Sequence, residues 1–411
     1  MIFEMDVIIV KKLETRKEVN AMALLFATVY MISYITRINY SAIISEMENA
    51  TGISRSMLSM ALTGSFVTYG VGQIISGICG DRFSPKKLVA MGLGVTVAMN
   101  LLIPLCTNAY QMLAVWCVNG FAQSFMWPPM VRIVTFYLTE NDYKSVSAKV
   151  SWGSSVGTIA VYLAAPVLIS FFGWKSVFLF SAVFGVAMIF VWNRYSYDME
   201  ASASDNEAKR IKGSSKMLFT PLMLCVMLAI ILQGMLRDGV TTWMPTYISE
   251  TYKLGTSVSI LTGVVLPIFS IICYHTATKL YMTKLNNPLS CAGVFFAIGA
   301  LSAVGLYLLT GQNAVYSVLF SAVLTGCMHG VNIMLICMIP PYFKKYGNVS
   351  TASGVLNSCT YIGSALSTYG VALLSESFGW SLTLLVWLII AASGTAVCMI
   401  CAKPWKKYMV E

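Results

Sequence analysis

The chain has 411 residues, of which 57% are apolar and only 11% charged, with a mean hydropathy of +0.73. So few charges cannot cover a soluble protein of this size, so its apolar surface must face lipid. The net charge of +10 (27 basic and 17 acidic residues) sits on loops rather than on a soluble domain, which excludes nucleic acid as a partner.

Met1 to Asn20 mixes acids and bases, so no cleavable signal peptide is predicted. A crossing helix needs about 20 apolar residues. In chain order the predicted spans are Ala21–Ile44, Met57–Gly77, Leu88–Cys106, Met112–Tyr137, Ser147–Phe172 and Val177–Tyr195. After a polar segment follow Leu222–Thr242, Ser257–His275, Leu289–Leu309, Ala314–Tyr342, Val349–Ser375 and Trp380–Cys401. The prediction is therefore an all-α integral membrane protein with twelve transmembrane helices in two pseudo-symmetric six-helix bundles. Residues 1–195 form the first, 196–216 a cytoplasmic linker, and 217–411 the second.

Basic residues fix the expected topology. Lys11, Lys12, Lys86, Lys87, Lys144, Lys149, Lys279, Lys284, Lys344 and Lys403 fall on one set of segments, whereas the opposite set holds only Arg55, Lys175 and Lys253. The positive-inside rule then puts both termini in the cytoplasm. The eleven cysteines lie almost entirely in apolar runs, so the Cys398/Cys401 pair reads as lipid-facing filler. An internal repeat is also visible. Gly157 precedes Phe172-Gly173-Trp174 at the spacing that separates Gly363 from Phe378-Gly379-Trp380.

Helical spacing sorts the polar residues. Tyr30, Tyr34, Arg37 and Ser41 share one face of the first span; Tyr69, Gln73 and Ser76 share one of the second; Ser151, Ser154 and Thr158 share one of the fifth. In the second half Gln233, Arg237 and Thr241 align, as do Thr325, His329 and Asn332, and Asn357, Tyr361, Ser364 and Thr368. An arginine at mid-membrane costs about 2.5–3.5 kcal/mol, so Arg37 and Arg237, at corresponding positions of the two halves, require compensation. A pair of guanidinium forks gripping one oxyanion supplies it. Arg132, after Trp127-Pro128-Pro129, suits gating or packing. Asp238 is either the structural partner of a nearby base or a proton-coupling carboxylate, and the residues alone leave both open. His329 is expected to line the cavity. No nucleophile–base pair, metal cluster or cofactor motif is present, so no catalytic, metal or cofactor site is expected.

Gly77-Ile78-Cys79-Gly80-Asp81-Arg82-Phe83-Ser84-Pro85-Lys86-Lys87 resembles the cytoplasmic loop motif of the major facilitator superfamily. The resemblance implies a gating role for Asp81 and Arg82. Within that superfamily, Tyr34 to Tyr40, Trp127 to Arg132, Leu236-Arg237-Asp238-Gly239 through Tyr247, and Tyr361-Ile362-Gly363 resemble the organophosphate:phosphate antiporters, the glycerol-phosphate and hexose-phosphate carriers. That likeness implies that Arg37 and Arg237 bind a phosphoryl group in a cavity lined by Tyr30, Tyr34, Tyr69 and Tyr361. Gln73, Ser154 and His329 stand there in place of a family lysine, histidine and tyrosine. The expected partners are a small anionic solute (sugar phosphate, phosphate or carboxylate) and the lipid bilayer, and the expected form is a monomer in a bacterial cytoplasmic membrane. Three activities remain open: exchange of organophosphate for phosphate, proton-coupled symport of a sugar acid or other carboxylate, and transporter-like solute sensing.

Overall fold

The structure is a computed structural model and describes residue 13 and residues 15–197, 214–253 and 265–410. Most of the expected linker and the start of the predicted Ser257–His275 span lie outside the described residues. The described residues form helices joined by short turns, with no strand among them. Nine of these helices are long and apolar enough to cross a membrane.

In the first half α1 is Arg16–Ala42, α2 Ile44–Thr51, α3 Arg55–Arg82 and α4 Pro85–Leu102. They are followed by α5 (Ala109–Gln123), α6 (Trp127–Tyr137), α7 (Glu140–Phe172) and α8 (Lys175–Tyr195). In the second half α9 is Pro221–Tyr252, α10 Val265–Thr283, α11 Pro288–Leu309, α12 Ala314–Asn332 and α13 Val349–Val410.

Helix starts follow from local chemistry. Thr15 and Glu18 form a reciprocal capping box at α1. Ser84-Pro85, Thr220-Pro221 and Asn287-Pro288 each join a side chain that accepts a first-turn N–H to a proline that needs no such partner. The capping residues and the lysines Lys86, Lys144 and Lys284 mark one rim of the bundle, called below the lysine-rich end.

Two predicted spans are corrected. The fourth is two helices, because Pro128 and Pro129 remove two backbone donors just after α5. The tenth changes from α12 to a π-turn at Ile333–Cys337 and a 3-10 turn at Pro340–Tyr346. The eleventh and twelfth predicted spans are the two helices within α13, which meet at the non-helical Gly379. Gly173 and Gly379 adopt nearly the same left-handed conformation (φ 76°, ψ 171° and φ 76°, ψ 176°), which only glycine adopts readily. The sequence repeat is therefore also a backbone repeat.

The repeat extends to packing. A Cβ on Gly157 would meet the carbonyl oxygen of Met31, and a Cβ on Gly363 that of Ile231, each six residues before an arginine, Arg37 or Arg237. Each half thus lays its arginine-bearing helix directly against a polar-faced one. Between the halves, α3 crosses α13 and α7 packs on α10. Gly77 and Gly80 permit the first crossing, since a Cβ on Gly77 would lie 2.7 Å from the Ser350 carbonyl oxygen.

Candidate functional site: a tyrosine-lined cavity between two arginines

The arginine-bearing α1 is anchored by a buried amide network. Asn100 Nδ2 donates to the Thr36 and Thr96 carbonyls at 3.1 and 2.9 Å. Asn39 Nδ2 donates to Asn100 Oδ1 at 2.7 Å and to Ser181 Oγ at 3.0 Å. Gln123 Nε2 donates to Thr36 Oγ1 at 2.9 Å, and its Oε1 accepts from the Ser33 hydroxyl at 2.6 Å. These bonds hold α1 one residue before Arg37.

The Arg37 guanidinium lies over the Tyr34 ring, 4.2 Å from its centroid, and within 5.1 Å of the Tyr69 ring centroid. Cation–π contact of this kind stabilises a desolvated arginine without cancelling its charge. Nη1 of Arg37 donates to the Tyr361 hydroxyl at 3.4 Å, across the boundary between the halves. Its Nε is buried and has no hydrogen-bond partner among the described residues. No carboxylate pairs with it among the described residues.

Arg237 differs. Its Nε and Nη2 donate to Asp238 Oδ1 and Oδ2 at 2.7 and 2.8 Å, and Ser364 donates to the same carboxylate. The guanidinium fork is thus engaged by its own neighbour. Between the halves lies a cavity with about 360 Å³ of empty space, part of it open to solvent, lined by Tyr30, Tyr34, Trp127, Ser151, Arg237, Tyr274, Asn332, Ile336, Cys337, Asn357 and Tyr361.

Of the residues expected to bind solute, Arg237, Tyr30, Tyr34 and Tyr361 line this cavity, and Arg37 lies against Tyr34 and Tyr361. Four others are placed differently. Tyr69 is 3% exposed and stacks on Tyr361, with centroids 4.5 Å apart. Gln73 is fully buried, donating to the Ser124 carbonyl at 3.3 Å and accepting from Asn357 Nδ2 at 3.0 Å, so it braces α3 against α13. Ser154 turns its hydroxyl onto the Ser151 carbonyl at 2.7 Å. His329 stands behind the wall, its Nδ1 2.8 Å from the Tyr274 hydroxyl. Tyr274 was missed by the sequence reading. Its spacing with Thr278 and Tyr281 gives a polar stripe on α10 that could have found it.

The cavity is closed at the lysine-rich end. Asp81 accepts the backbone N–H groups of Ser350 and Thr351 at 2.9 and 2.6 Å, capping α13 with a carboxylate. Arg132 Nη1 donates to the Gly80 carbonyl at 2.5 Å, holding the end of α3 that carries Asp81. The Tyr143 hydroxyl donates to the Cys337 carbonyl at 2.5 Å. Arg82, expected in the same gate, is exposed and has no partner among the described residues.

A helical bundle of repeated halves closed over a cavity, with a guanidinium on the first long helix of each half, is the architecture of a membrane carrier. The family model described as Major Facilitator Superfamily matches residues 26–301, and the chain belongs to that superfamily of membrane transporters. It is 23% identical over 381 residues to the membrane sensor protein UhpC of Salmonella typhimurium, covering 86% of this chain and 84% of that protein. It is 21% identical over 381 residues to a probable hexose phosphate transport protein of Chlamydia muridarum, covering 85% and 84%. Among solved structures, the proton:xylose symporter XylE superposes with a TM-score of 0.76 at 12% identity, covering 95% of this chain and 96% of that one.

Proposed function

We propose that the protein is a secondary active transporter that exchanges an organophosphate for inorganic phosphate by alternating access. The observation that carries this reading is Arg37. It is a desolvated guanidinium beside the cavity, with an unbonded Nε and no carboxylate partner among the described residues, so its charge is available to a ligand. Arg237 faces the same cavity from the other half. An oxyanion between them would gain charge-assisted bonds from both. The likeness to a hexose phosphate transport protein supports a phosphoryl head group.

In this reading residues 1–195 and 217–411 rock as two units joined by 196–216. The lysine-rich end faces the cytoplasm of a bacterium, and the described conformer is closed towards it. Gln73–Asn357, Asp81 at α13 and Tyr143–Cys337 are the contacts that break when the carrier turns over. The unpaired charge of Arg37 disfavours closure around an empty site, which couples the two fluxes.

The Arg237–Asp238 pair favours a second reading, proton-coupled uptake of a carboxylate such as a sugar acid. Protonation of Asp238 would then release the Arg237 fork to substrate. Vesicles loaded with phosphate and offered labelled sugar phosphates, sugar acids and dicarboxylates separate these. Uptake of a sugar phosphate that requires internal phosphate supports exchange. Uptake of a carboxylate driven by a pH gradient without a counter-substrate, and lost in Asp238→Asn, refutes exchange in favour of symport. Binding without flux for any solute refutes both and leaves a sensor.

A further inference from the structure

We propose that Asp238 sets the charge of the solute, limiting the cavity to a head group that brings one net negative charge. The inference rests on the organophosphate reading and deepens it.

The charges at the site are unequal. Arg37 has no acid partner among the described residues, whereas Arg237 gives Nε and Nη2 to Asp238. Two guanidinium groups and one carboxylate leave a single uncompensated positive charge. The carboxylate is held from a second helix by Ser364 of α13, so it is fixed in place rather than free to swing out as a ligand enters. The other groups facing the pair are His329 of α12, hydrogen-bonded to Tyr274 of α10, together with Tyr34 of α1 and Tyr361 of α13. None of them adds a fixed charge. A singly charged head group therefore balances the site. A doubly charged one leaves a net negative charge in a desolvated cavity and faces Asp238 directly. At a separation of about 6 Å and an effective dielectric of about 20, one such like charge is worth roughly a hundredfold in affinity. A dianion can enter only with a proton, carried on its own oxygen or on Asp238, and the charge count is the same either way.

Two esters of one sugar test this, because sulfate and phosphate heads are both tetrahedral oxyanions. A hexose 6-sulfate keeps one charge at all relevant pH values, whereas a hexose 6-phosphate acquires its second near pH 6. Binding of each to the purified full-length protein is measured by calorimetry between pH 5.5 and pH 8. In the wild type the phosphate ester should weaken by about fifty- to a hundredfold over that range, while the sulfate ester changes by less than about threefold. The sulfate ester also controls for any protonation of His329, which would move both ligands. In Asp238→Asn the pH dependence of the phosphate ester should collapse. At pH 8 it should then outbind the sulfate ester by about tenfold or more. If the wild type at pH 8 binds the phosphate ester more tightly than the sulfate ester, the charge limit is wrong while the organophosphate reading stands. If neither ester binds at any pH, that reading fails and the proposal fails with it. The wild-type comparison decides the question even if Asp238→Asn does not fold.

Discussion

Replacing Asp81 by Asn should open the lysine-rich end. The carboxylate of Asp81 is 6% exposed and accepts two backbone N–H groups, from Ser350 at 2.9 Å and Thr351 at 2.6 Å, at the start of α13. Asparagine has the same shape but one acceptor oxygen and no charge, so one of the two bonds is lost and the other becomes neutral. A hydrogen bond to a charged group is worth about 1.5–3 kcal/mol net. The contact joins α3 to α13 and exists only while this end is closed, so its loss is charged to the closed state alone. A shift of that size changes the ratio of open to closed molecules by about 10- to 150-fold. Cys337 reports it, being 1% exposed and held by Tyr143 in the closing segment. Peptide-resolved alkylation with a maleimide should speed up at Cys337 by a factor in that range, with little change at Cys291, buried against α10. A change below about threefold in a variant of normal helical content would refute the assignment of Asp81 as a latch on this end.

Two further changes test how the site is held. Asn100→Leu removes the Asn100 bonds to the Thr36 carbonyl and the Asn39 amide, which keep Asn119 and Ser181 as side-chain partners, and each buried hydrogen bond lost is worth about 0.5–1.5 kcal/mol. The melting temperature of the purified protein should fall and anion affinity should fall with it. Gly354→Val places two methyl groups where even a Cβ meets the Gln73 carbonyl oxygen and lies 3.0 Å from the Gly77 Cα. Overpacking of about 1–3 kcal/mol should again favour the conformer open at the lysine-rich end, read by the same Cys337 alkylation.

Much of this was legible in the chain because charge in an apolar run is costly. Arg37 and Arg237 stand out for that reason, and the glycine-centred repeat located the matching helix junctions at Gly173 and Gly379. Other features were hidden by geometry. Asp238 was expected either to pair with a nearby base or to couple protons, but adjacent residues on a helix do not face one another, so spacing did not show that Arg237 would engage both of its oxygens. Tyr69 and Gln73 share a face that was read as cavity wall, yet Gln73 braces α13 while Tyr69 packs on Arg37 and Tyr361. One helix alone does not tell a partner helix from a wet cavity. The breaks in the fourth and tenth spans had their signal in Pro128-Pro129 and Pro340-Pro341. Hydropathy, which averages over a window, passed across both. Tyr274 was lost because its span was read for length and not for polar spacing.

The central claim is that Arg37 and Arg237 share one anion, and counterflow of labelled phosphate or sugar phosphate in vesicles tests it most directly with Arg37→Lys and Arg237→Lys. Lysine keeps the charge but loses the planar fork. Each variant should insert normally and lose exchange by about tenfold or more: at Arg37 the second bond to the solute is forfeited, and at Arg237 an ammonium cannot hold both Asp238 oxygens and still reach the solute. Exchange at the wild-type rate in either variant would mean that the guanidinium concerned does not hold the solute.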